Sequence, residues 1–328
     1  MKNSLRAVVF LACAGLTVLS PLGARPANES DTRPQEELVI YGLRGPSGVG
    51  MIRLFEEPPV LPDTRVRVEA LAQANLMAAK FLAGEAKIGI LPPDTAAKIA
   101  SGGNKIQIAA VTGLGMLSLL SADSAVQRIE DLKGRTVEVA GQGAVPDYVF
   151  RKILISKGLE PGVDVTLDYS LAYPEIAQAL IAGRLSLAML PEPFATMARS
   201  GNANLRPVSN IQEEWAAAGG EENFPMTALV VDGEWAAGHR QALSTVLERL
   251  KASIEWVVSN PAEAGALVEA HDMGLKAPVV AAAAPRSNYV FQSAAGARPA
   301  LESLYRIFLE FAPQAIGGAL PPDSFYWK

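Results

Sequence analysis

Apolar positions follow the same pattern twice along this chain, and the second copy lies 99 residues after the first. Residues 38–42 alternate like a strand with one buried face and end in glycine, and residues 137–141 repeat them. A helical stripe of apolar residues at i, i+3 and i+4 over 51–55 returns at 150–154. The pattern therefore predicts two copies of one α/β unit.

The register between the copies holds without a gap through the remaining elements. The matched pairs are strands at 66–68 and 165–167, helices at 77–82 and 176–181, strands at 88–90 and 187–189, and the motifs "LPPDTAAKIASG" (91–102) and "LPEPFATMARSG" (190–201). Each copy therefore reads as a βαβαβ unit, which forms a parallel sheet with helices on its faces. We expect an α/β fold of two similar lobes with mostly parallel sheets, arranged as a clamshell.

The C-terminal third of the chain has a different pattern. A strand at 226–232 is followed by mostly helical periodicity, which is too helical for a third α/β lobe. We expect this part to pack on the first lobe, so the chain crosses between lobes near 117–121 and near 224–227, and two crossings make a hinge. The predicted division is a first lobe of 36–120 plus 226–328, and a second lobe of 121–225.

The N-terminus has the pattern of an export signal. Lys2 and Arg6 precede an apolar run over 7–19 that is too short to span a bilayer comfortably, and small residues follow up to Ala24. We predict a signal peptide over residues 1–24 and a flexible polar segment over residues 25–35. The mature protein is therefore expected in the periplasm or outside the cell.

Cys13 is the single cysteine, and it lies within the predicted signal. The motif "FLAC" is a poor lipoprotein box, so an ordinary signal residue is preferred over a lipid anchor at this position. A mature chain that begins after the signal has neither a disulfide nor a thiol nucleophile.

Composition and motifs narrow the function. A net charge of −5 without a Lys/Arg run argues against a nucleic-acid partner. The two histidines, His239 and His271, lie in the C-terminal helical region, and no His, Cys, Asp or Glu pair has metal-ligand spacing. The sequence has no P-loop lysine and no G-x-S-x-G elbow. We therefore predict no catalytic residue, metal or cofactor, and a protein that is not an enzyme.

Ligands of open parallel sheets bind outside the carboxyl ends of the strands. Small residues in the loops after the first strand of each copy would let a ligand approach backbone N–H groups that favour an anionic or polar group. Among the larger side chains of these loops, Arg44 offers a positive charge, and Tyr148, Tyr173, Phe194 and Phe224 offer apolar or stacking walls.

One acid follows the third strand of each copy. Asp94 and Glu192 lie where first-turn acids stabilise a helix, so that role is the alternative to ligand contact.

Three segments carry a family resemblance. The strings "IEDLKGRTVEVAGQGA" (129–144), "ILISKGLEPGVDVTLDY" (153–169) and "PEIAQALIAGRLSLAMLPEPFATMA" (174–198) resemble the second lobe of periplasmic substrate-binding proteins of ABC importers. The group that looks most similar binds nitrate, sulfonates, taurine or thiamine-pyrimidine precursors, and the tail "IGGALPPDSFYWK" (316–328) resembles it too. Many members have an acid where this chain has Ser186, which weakens the assignment to a subfamily.

The resemblance implies a ligand held between two hinged lobes and delivered to a membrane permease. It places ligand contacts around Ser47, Gly48, Gln73, Asn75, Thr112, Gln142, Gly143, Ala144 and Glu192. The expected partners are an ABC permease and a small molecule, either a sulfonate, a carboxylate or a pyrimidine-like heterocycle, and the protein is expected to be a monomer. A thiamine-pyrimidine-synthase-like or menaquinone-pathway-like enzyme and a solute-sensing module are the alternatives.

Overall fold

Two β-sheets organise residues 36–328, the part of the chain that the computed structural model describes. The predicted signal peptide with Cys13 and the predicted flexible segment 25–35 lie outside the described residues. Within 36–328, no helix is both long and apolar enough to cross a bilayer.

The strands alternate with helices along most of the chain. The strands are β1 (Glu36–Leu43), β2 (Thr64–Leu71), β3 (Ile88–Leu91), β4 (Ile106–Leu114), β5 (Leu117–Ser121), β6 (Thr136–Val139), β7 (Thr166–Asp168), β8 (Leu187–Pro191), β9 (Arg206–Asn210), β10 (Pro225–Asp232) and β11 (Tyr289–Ser293). The helices are α1 (Pro46–Val49), α2 (Arg53–Glu56), α3 (Ala74–Leu82), α4 (Pro93–Ser101), α5 (Val145–Ser156), α6 (Tyr173–Ile181), α7 (Phe194–Gly201), α8 (Ile211–Ala217), α9 (Gly233–Gly238), α10 (Arg240–Ser259), α11 (Pro261–Ala270), α12 (Ala277–Ala283) and α13 (Ala294–Phe311). Short 3-10 helices span Ile129–Leu132, Ala284–Arg286, Pro313–Ile316 and Asp323–Phe325.

The internal repeat is visible in the element bounds. Helices α3 and α6 begin and end 99 residues apart, and β3 and β8 begin 99 residues apart. The first sheet has the order β2-β1-β3-β10-β4-β11 and the second has the order β7-β6-β8-β5-β9. Five positions therefore correspond between the sheets, and β11 is an addition to the first. This confirms the predicted α/β fold of two similar lobes.

The sheets are mixed, where mostly parallel sheets were expected. Strand β1 pairs in parallel with β2 and β3, and β6 pairs in parallel with β7 and β8. Strand β10 is antiparallel to β3 and β4, and β5 is antiparallel to β8 and β9. The antiparallel pairs arise because β5 and β10 each enter their sheet from the other half of the chain, at the end where the parallel strands finish.

The two connections between the sheets are short. The first runs through Gly115 and Met116, because the segment Leu117–Ser121 already forms β5 of the second sheet. This crossing lies slightly before the expected one, and the predicted lobe boundary after residue 120 falls within β5. The second connection joins α8 to β10. All described residues, Glu36–Lys328, belong to one compact unit.

The apolar stripes found in the sequence face the interior. In α5, Phe150, Ile153 and Leu154 are fully buried, and in the first copy Met51 and Leu54 are buried in the same way. Burial of these side chains against the sheets removes apolar area from water, which is the main favourable contribution to folding.

Two isoleucines of α5 test this assignment. Ile153 is 0% exposed and Ile155 is 39% exposed on the same helix. We expect Ile153→Ala to lower the free energy of unfolding by about 2–5 kcal/mol, because it leaves a cavity in the core. The matched change Ile155→Ala should have a much smaller effect. Urea denaturation of the two variants measures this, and equal losses would contradict the assigned faces.

Candidate functional site

A cavity of about 290 Å³ lies between the two sheets, beyond the ends of their parallel strands. This volume is at the small end of the range for ligand pockets. From the first-sheet side it is lined by Arg44, Gly45, Pro46, Ser47, Pro92, Asp94, Met226 and Thr227, from the second-sheet side by Ala144, Val145, Pro146, Tyr173, Pro191 and Phe194, and at the first crossing by Met116. The position is the one that the strand ends predict.

Six of the residues predicted from the sequence line this cavity. They are Arg44, Ser47, Asp94, Ala144, Tyr173 and Phe194. They come from both copies of the repeat, so the cavity is shared between the two lobes.

Three predicted polar residues point to other environments. Gln73, Asn75 and Gln142 are exposed and do not line the cavity. The Asn75 side chain accepts a hydrogen bond from the Leu76 N–H at 2.8 Å, within the first turn of α3. These side chains follow the correct strands but lie outside the enclosed space.

Four further predicted residues have packing or supporting roles. Gly48 is buried where an added Cβ would lie 2.0 Å from the Leu43 carbonyl oxygen, so close packing explains the glycine. Phe224 is fully buried with its ring 5.4 Å from that of Trp215. Tyr148 packs on Phe308 and Phe311 of α13, and Thr112 is buried with its hydroxyl 3.0 Å from that of Thr227.

Several cavity residues were not singled out from the sequence. Met226 and Thr227 belong to β10, and Met116 lies in the first crossing. The sequence could have indicated them only through the placement of the crossing strands, because the pairing of β10 between β3 and β4 brings residues 226 and 227 to the cavity. The loop prolines Pro46 and Pro146 lay within the selected loops without having been named.

The helix start nearest the second glycine loop is occupied by its own acid. The Asp147 carboxylate accepts the Gly143 N–H at 2.9 Å, the Arg151 guanidinium at 2.6 Å and the Tyr169 hydroxyl at 2.7 Å. The Gly143 N–H, which was among the groups expected to receive an anionic ligand, is therefore already engaged. Gly143 supports the loop and does not line the cavity.

The acids of the two neighbouring helices are satisfied in the same way. Glu192 is buried and accepts the Thr196 N–H at 3.0 Å and the Arg286 guanidinium at 3.2 Å. On α6, Glu175 accepts the Ala172 N–H at 2.9 Å. Glu192 thus has the helix-stabilising role that was the alternative for it, and its side chain does not line the cavity.

Asp94 differs from these acids. Asp94 lines the cavity, it is 9% exposed, and its Oδ1 atom is buried without a hydrogen-bond partner among the described residues. Burial raises the pKa of Asp94 to about 6, although hydrogen bonding from the first-turn N–H groups of α4 opposes the shift. A buried polar atom without a partner is rare in folded proteins and requires an explanation.

The local sequence limits the number of partners available to the Asp94 carboxylate. Pro92 and Pro93 precede it and have no N–H, so the start of α4 offers fewer donors than other helix starts. The buried hydroxyl of Tyr305 donates to the Pro93 carbonyl at 3.1 Å and fixes this turn from α13. The carboxylate is held in place by its surroundings without being satisfied by them.

Arg44 is the one basic residue among the described residues that line the cavity. Its guanidinium lies 3.4 Å from the Asp272 carboxylate, and its side chain is 48% exposed. A pair this exposed interacts weakly. Arg44 therefore lies at the solvent edge of the cavity, where Asp272 is its weakly interacting partner.

Two aromatic rings form one wall. Tyr173 and Phe194 stack with centroids 5.9 Å apart and an interplanar angle of 26°. Burial, and next the nearby charge of Asp94, raise the pKa of Tyr173 to about 12, so this hydroxyl stays neutral at physiological pH. The wall suits a flat apolar group.

Several other features of the described residues lie away from this cavity. A larger cavity of about 660 Å³ is lined by the C-terminal segment 316–325 and the start of β4, at the far end of the first sheet. His271 contacts Glu56 at 2.5 Å, and His239 stacks on Trp235. Within residues 36–328, no group of three or more His, Cys, Asp or Glu side chains is placed to hold a metal ion.

Comparison with protein families assigns the chain. The sequence profile described as the NMT1-like family matches residues 68–271, which is more than half of the chain. The chain belongs to the NMT1-like family. No curated protein matches the sequence.

Solved structures agree with the fold of this family member. An ABC transporter protein from Parabacteroides distasonis is similar with a TM-score of 0.75 and 25% identity, covering 90% of this chain and 99% of that one. The periplasmic aliphatic sulphonate-binding protein SsuA from Escherichia coli is similar with a TM-score of 0.70 and 17% identity, covering 90% and 93%. The periplasmic nitrate-binding protein NrtA from Synechocystis has a TM-score of 0.53 and 13% identity, covering 74% and 68%. The resemblance to binding proteins of ABC importers is confirmed, and the last two likenesses concern the fold.

The state of Asp94 leads to a prediction on stability. A folded pKa of about 6 against an ordinary value of 3.8 means that the folded protein favours the protonated acid. The contribution of the protonated acid to the free energy of unfolding is fully present below pH 3.8 and is lost as the pH rises towards 6. Ionisation of Asp94 then lowers the free energy of unfolding by up to about 3 kcal/mol. Asp94→Asn should therefore stabilise the ligand-free protein at pH 8, and the gain should vanish near pH 4.

Thermal unfolding of both proteins across this pH range measures the effect. Asp147→Asn is the contrasting variant, because it breaks satisfied hydrogen bonds and should destabilise the protein at pH 8. A loss of stability in Asp94→Asn at pH 8 similar to that in Asp147→Asn would contradict the assignment of Asp94 as an unsatisfied acid.

Proposed function

We propose that this protein is an extracytoplasmic solute-binding protein that captures a small organic molecule between its two lobes and delivers it to an ABC-type permease. The observation that carries the proposal is the cavity of about 290 Å³, which both sheets line and which contains an unsatisfied carboxylate and an aromatic wall. Family membership and the similarity to binding proteins of ABC importers support it.

The connections between the lobes suit opening and closing. Gly115 lies in the first crossing, and its N–H bonds to the Asn223 side chain of the second crossing at 3.0 Å. The Asn288 side chain donates to the Gly115 carbonyl from the other side. Side-chain hydrogen bonds therefore join the two crossings at one point, which is where a hinge would bend.

Contacts between lobes surround the cavity away from this hinge. Arg286, which precedes β11, bonds to Thr196 of α7 at 2.7 Å and to Glu192. On the other side, Lys152 of α5 pairs with Glu310 of α13 at 3.0 Å, beside the packing of Tyr148. These contacts hold the cavity closed, and a ligand that touches both walls favours this closed state over an open one.

The proposed activity is reversible ligand binding without a chemical reaction. Binding energy shifts an equilibrium between open and closed lobes, and the permease recognises the closed surface. The export signal predicted from the sequence and the periplasmic location named for SsuA and NrtA support an extracytoplasmic site of action.

Two phenylalanines separate ligand contact from core packing. Phe194 lines the cavity, whereas Phe224 is buried against Trp215 outside it. We expect native mass spectrometry of the protein purified from an expressing cell, or after exposure to a metabolite extract, to show a bound small molecule that unfolding releases. Phe194→Ala should lower its occupancy, because the variant removes half of the aromatic wall.

Phe224→Ala is the matched control. It should lower the free energy of unfolding by about 3–5 kcal/mol while the folded fraction keeps its bound molecule. A wild-type protein that retains no small molecule under any of these conditions would contradict the proposed function. Equal occupancy in both variants would contradict the proposed wall.

A further inference from the structure

Acidic side chains outnumber basic ones around the cavity. Four helices with acids in or just before their first turn surround it, and three of these acids, Asp147, Glu175 and Glu192, are satisfied by N–H groups or arginines of the protein. Among the described residues that line the cavity, the one basic side chain is Arg44, which is paired with Asp272 at the solvent edge. Asp94 is therefore the charge that the protein leaves for something else to balance.

We propose that Asp94 anchors the ligand and that the ligand is an organic cation, a protonated amine or amidine on a flat apolar body. This inference rests on the proposed function and names the ligand class for the same cavity. The Asp94 carboxylate, which has one oxygen without a partner, accepts an N–H of the cation, while Tyr173 and Phe194 contact the flat face of the ligand.

The argument for a positive charge is electrostatic. A carboxylate in an apolar site is costly unless a charge and a hydrogen bond compensate it, and an ammonium or amidinium group supplies both. A neutral amide supplies the hydrogen bond alone and leaves the charge buried. An anion such as a sulfonate would place a second negative charge beside Asp94, which is strongly unfavourable in an enclosed site.

The backbone also disfavours an anion. On α7 the acid Glu192 occupies the first-turn N–H of Thr196, and on α5 and α6 the acids occupy the N–H groups just before or at the helix start. At α4, Pro92 and Pro93 have no N–H, and the next N–H groups, of Asp94 and Thr95, bond to the Asp94 carboxylate. The helix starts around the cavity therefore offer fewer donors to an anion, and one carboxylate oxygen of Asp94 is without a partner.

Asp94 is the group at the cavity whose ionisation should control cation binding between pH 5 and pH 8. Tyr173 of α6, Tyr148 of α5 and Tyr305 of α13 feel its charge, and the pKa of each hydroxyl is raised, chiefly by burial, so all three stay neutral between pH 5 and pH 8. Arg44, with Asp272, is the remaining charged side chain at the cavity. Cation binding should therefore weaken as Asp94 is protonated.

The test uses three probes of the same shape and different charge. Benzamidinium is the cation, benzamide is the neutral analogue and benzoate is the anion, with benzenesulfonate as a second anion. Calorimetric titration of the wild-type protein at pH 8 should show benzamidinium binding most tightly. Its affinity should fall about tenfold at pH 5, because about one Asp94 in ten is then ionised.

Substitution of the anchor separates its role from general charge effects. Asp94→Asn should weaken benzamidinium binding by about 30-fold or more, because a buried charge pair is lost. The control is Glu263→Gln, which removes an exposed acid from the first turn of α11, another helix that begins with proline. This control should leave the affinity for benzamidinium unchanged.

Three results would overturn the inference. They are tighter binding of benzoate, benzenesulfonate or benzamide than of benzamidinium, unchanged benzamidinium affinity in Asp94→Asn, and the binding of no probe at all. The proposed function is judged separately by the small molecule retained in native mass spectrometry. An anion found there would refute the cationic ligand and support solute binding, whereas an empty protein would refute solute binding itself.

Discussion

Each half of the repeated chain completes its sheet with a strand from the other half. Strand β5 leaves the first sheet region to lie between β8 and β9, and β10 returns to lie between β3 and β4. Because both strands are hydrogen-bonded on both sides, the two sheets stay joined at the two crossings, and movement between them requires bending there. The connections between them are short, and this constraint fixes where the sheets face each other and where a cavity forms.

The repeated scaffold carries an asymmetric site because the two copies differ in their loops. The two copies present equivalent proline loops after β3 and β8, but Asp94 and Glu192 differ in what surrounds them. Glu192 finds a backbone N–H and Arg286, whereas Asp94 follows two prolines and finds no partner for one oxygen. A functional group that lowers the stability of the ligand-free protein is a common compromise between stability and activity. Here the cost of burying Asp94 is what a suitable ligand would relieve.

The sequence predicted the repeated architecture well, because strand and helix periodicities over a constant offset of 99 residues report directly on buried faces. It predicted the cavity through the strand ends, and Asp94, Tyr173 and Phe194 lie there. It did not predict that Asp147 engages the Gly143 N–H, since that depends on side-chain geometry within one helix turn. Nor did the sequence predict that Thr227 lines the cavity, because this depends on the position of β10 between β3 and β4. Phe224 was assigned to the site from its loop position, whereas packing against Trp215 decides its role.

The central claim is that Asp94 is a buried carboxyl group held ready for a ligand. The most direct measurement is an NMR titration of its carboxyl carbon, with Asp94→Asn used for assignment. In the ligand-free protein we expect a pKa of about 6, and with saturating benzamidinium we expect a pKa below the ordinary value of 3.8. A ligand-free pKa at or below 3.8, or one that benzamidinium does not change, would contradict the account.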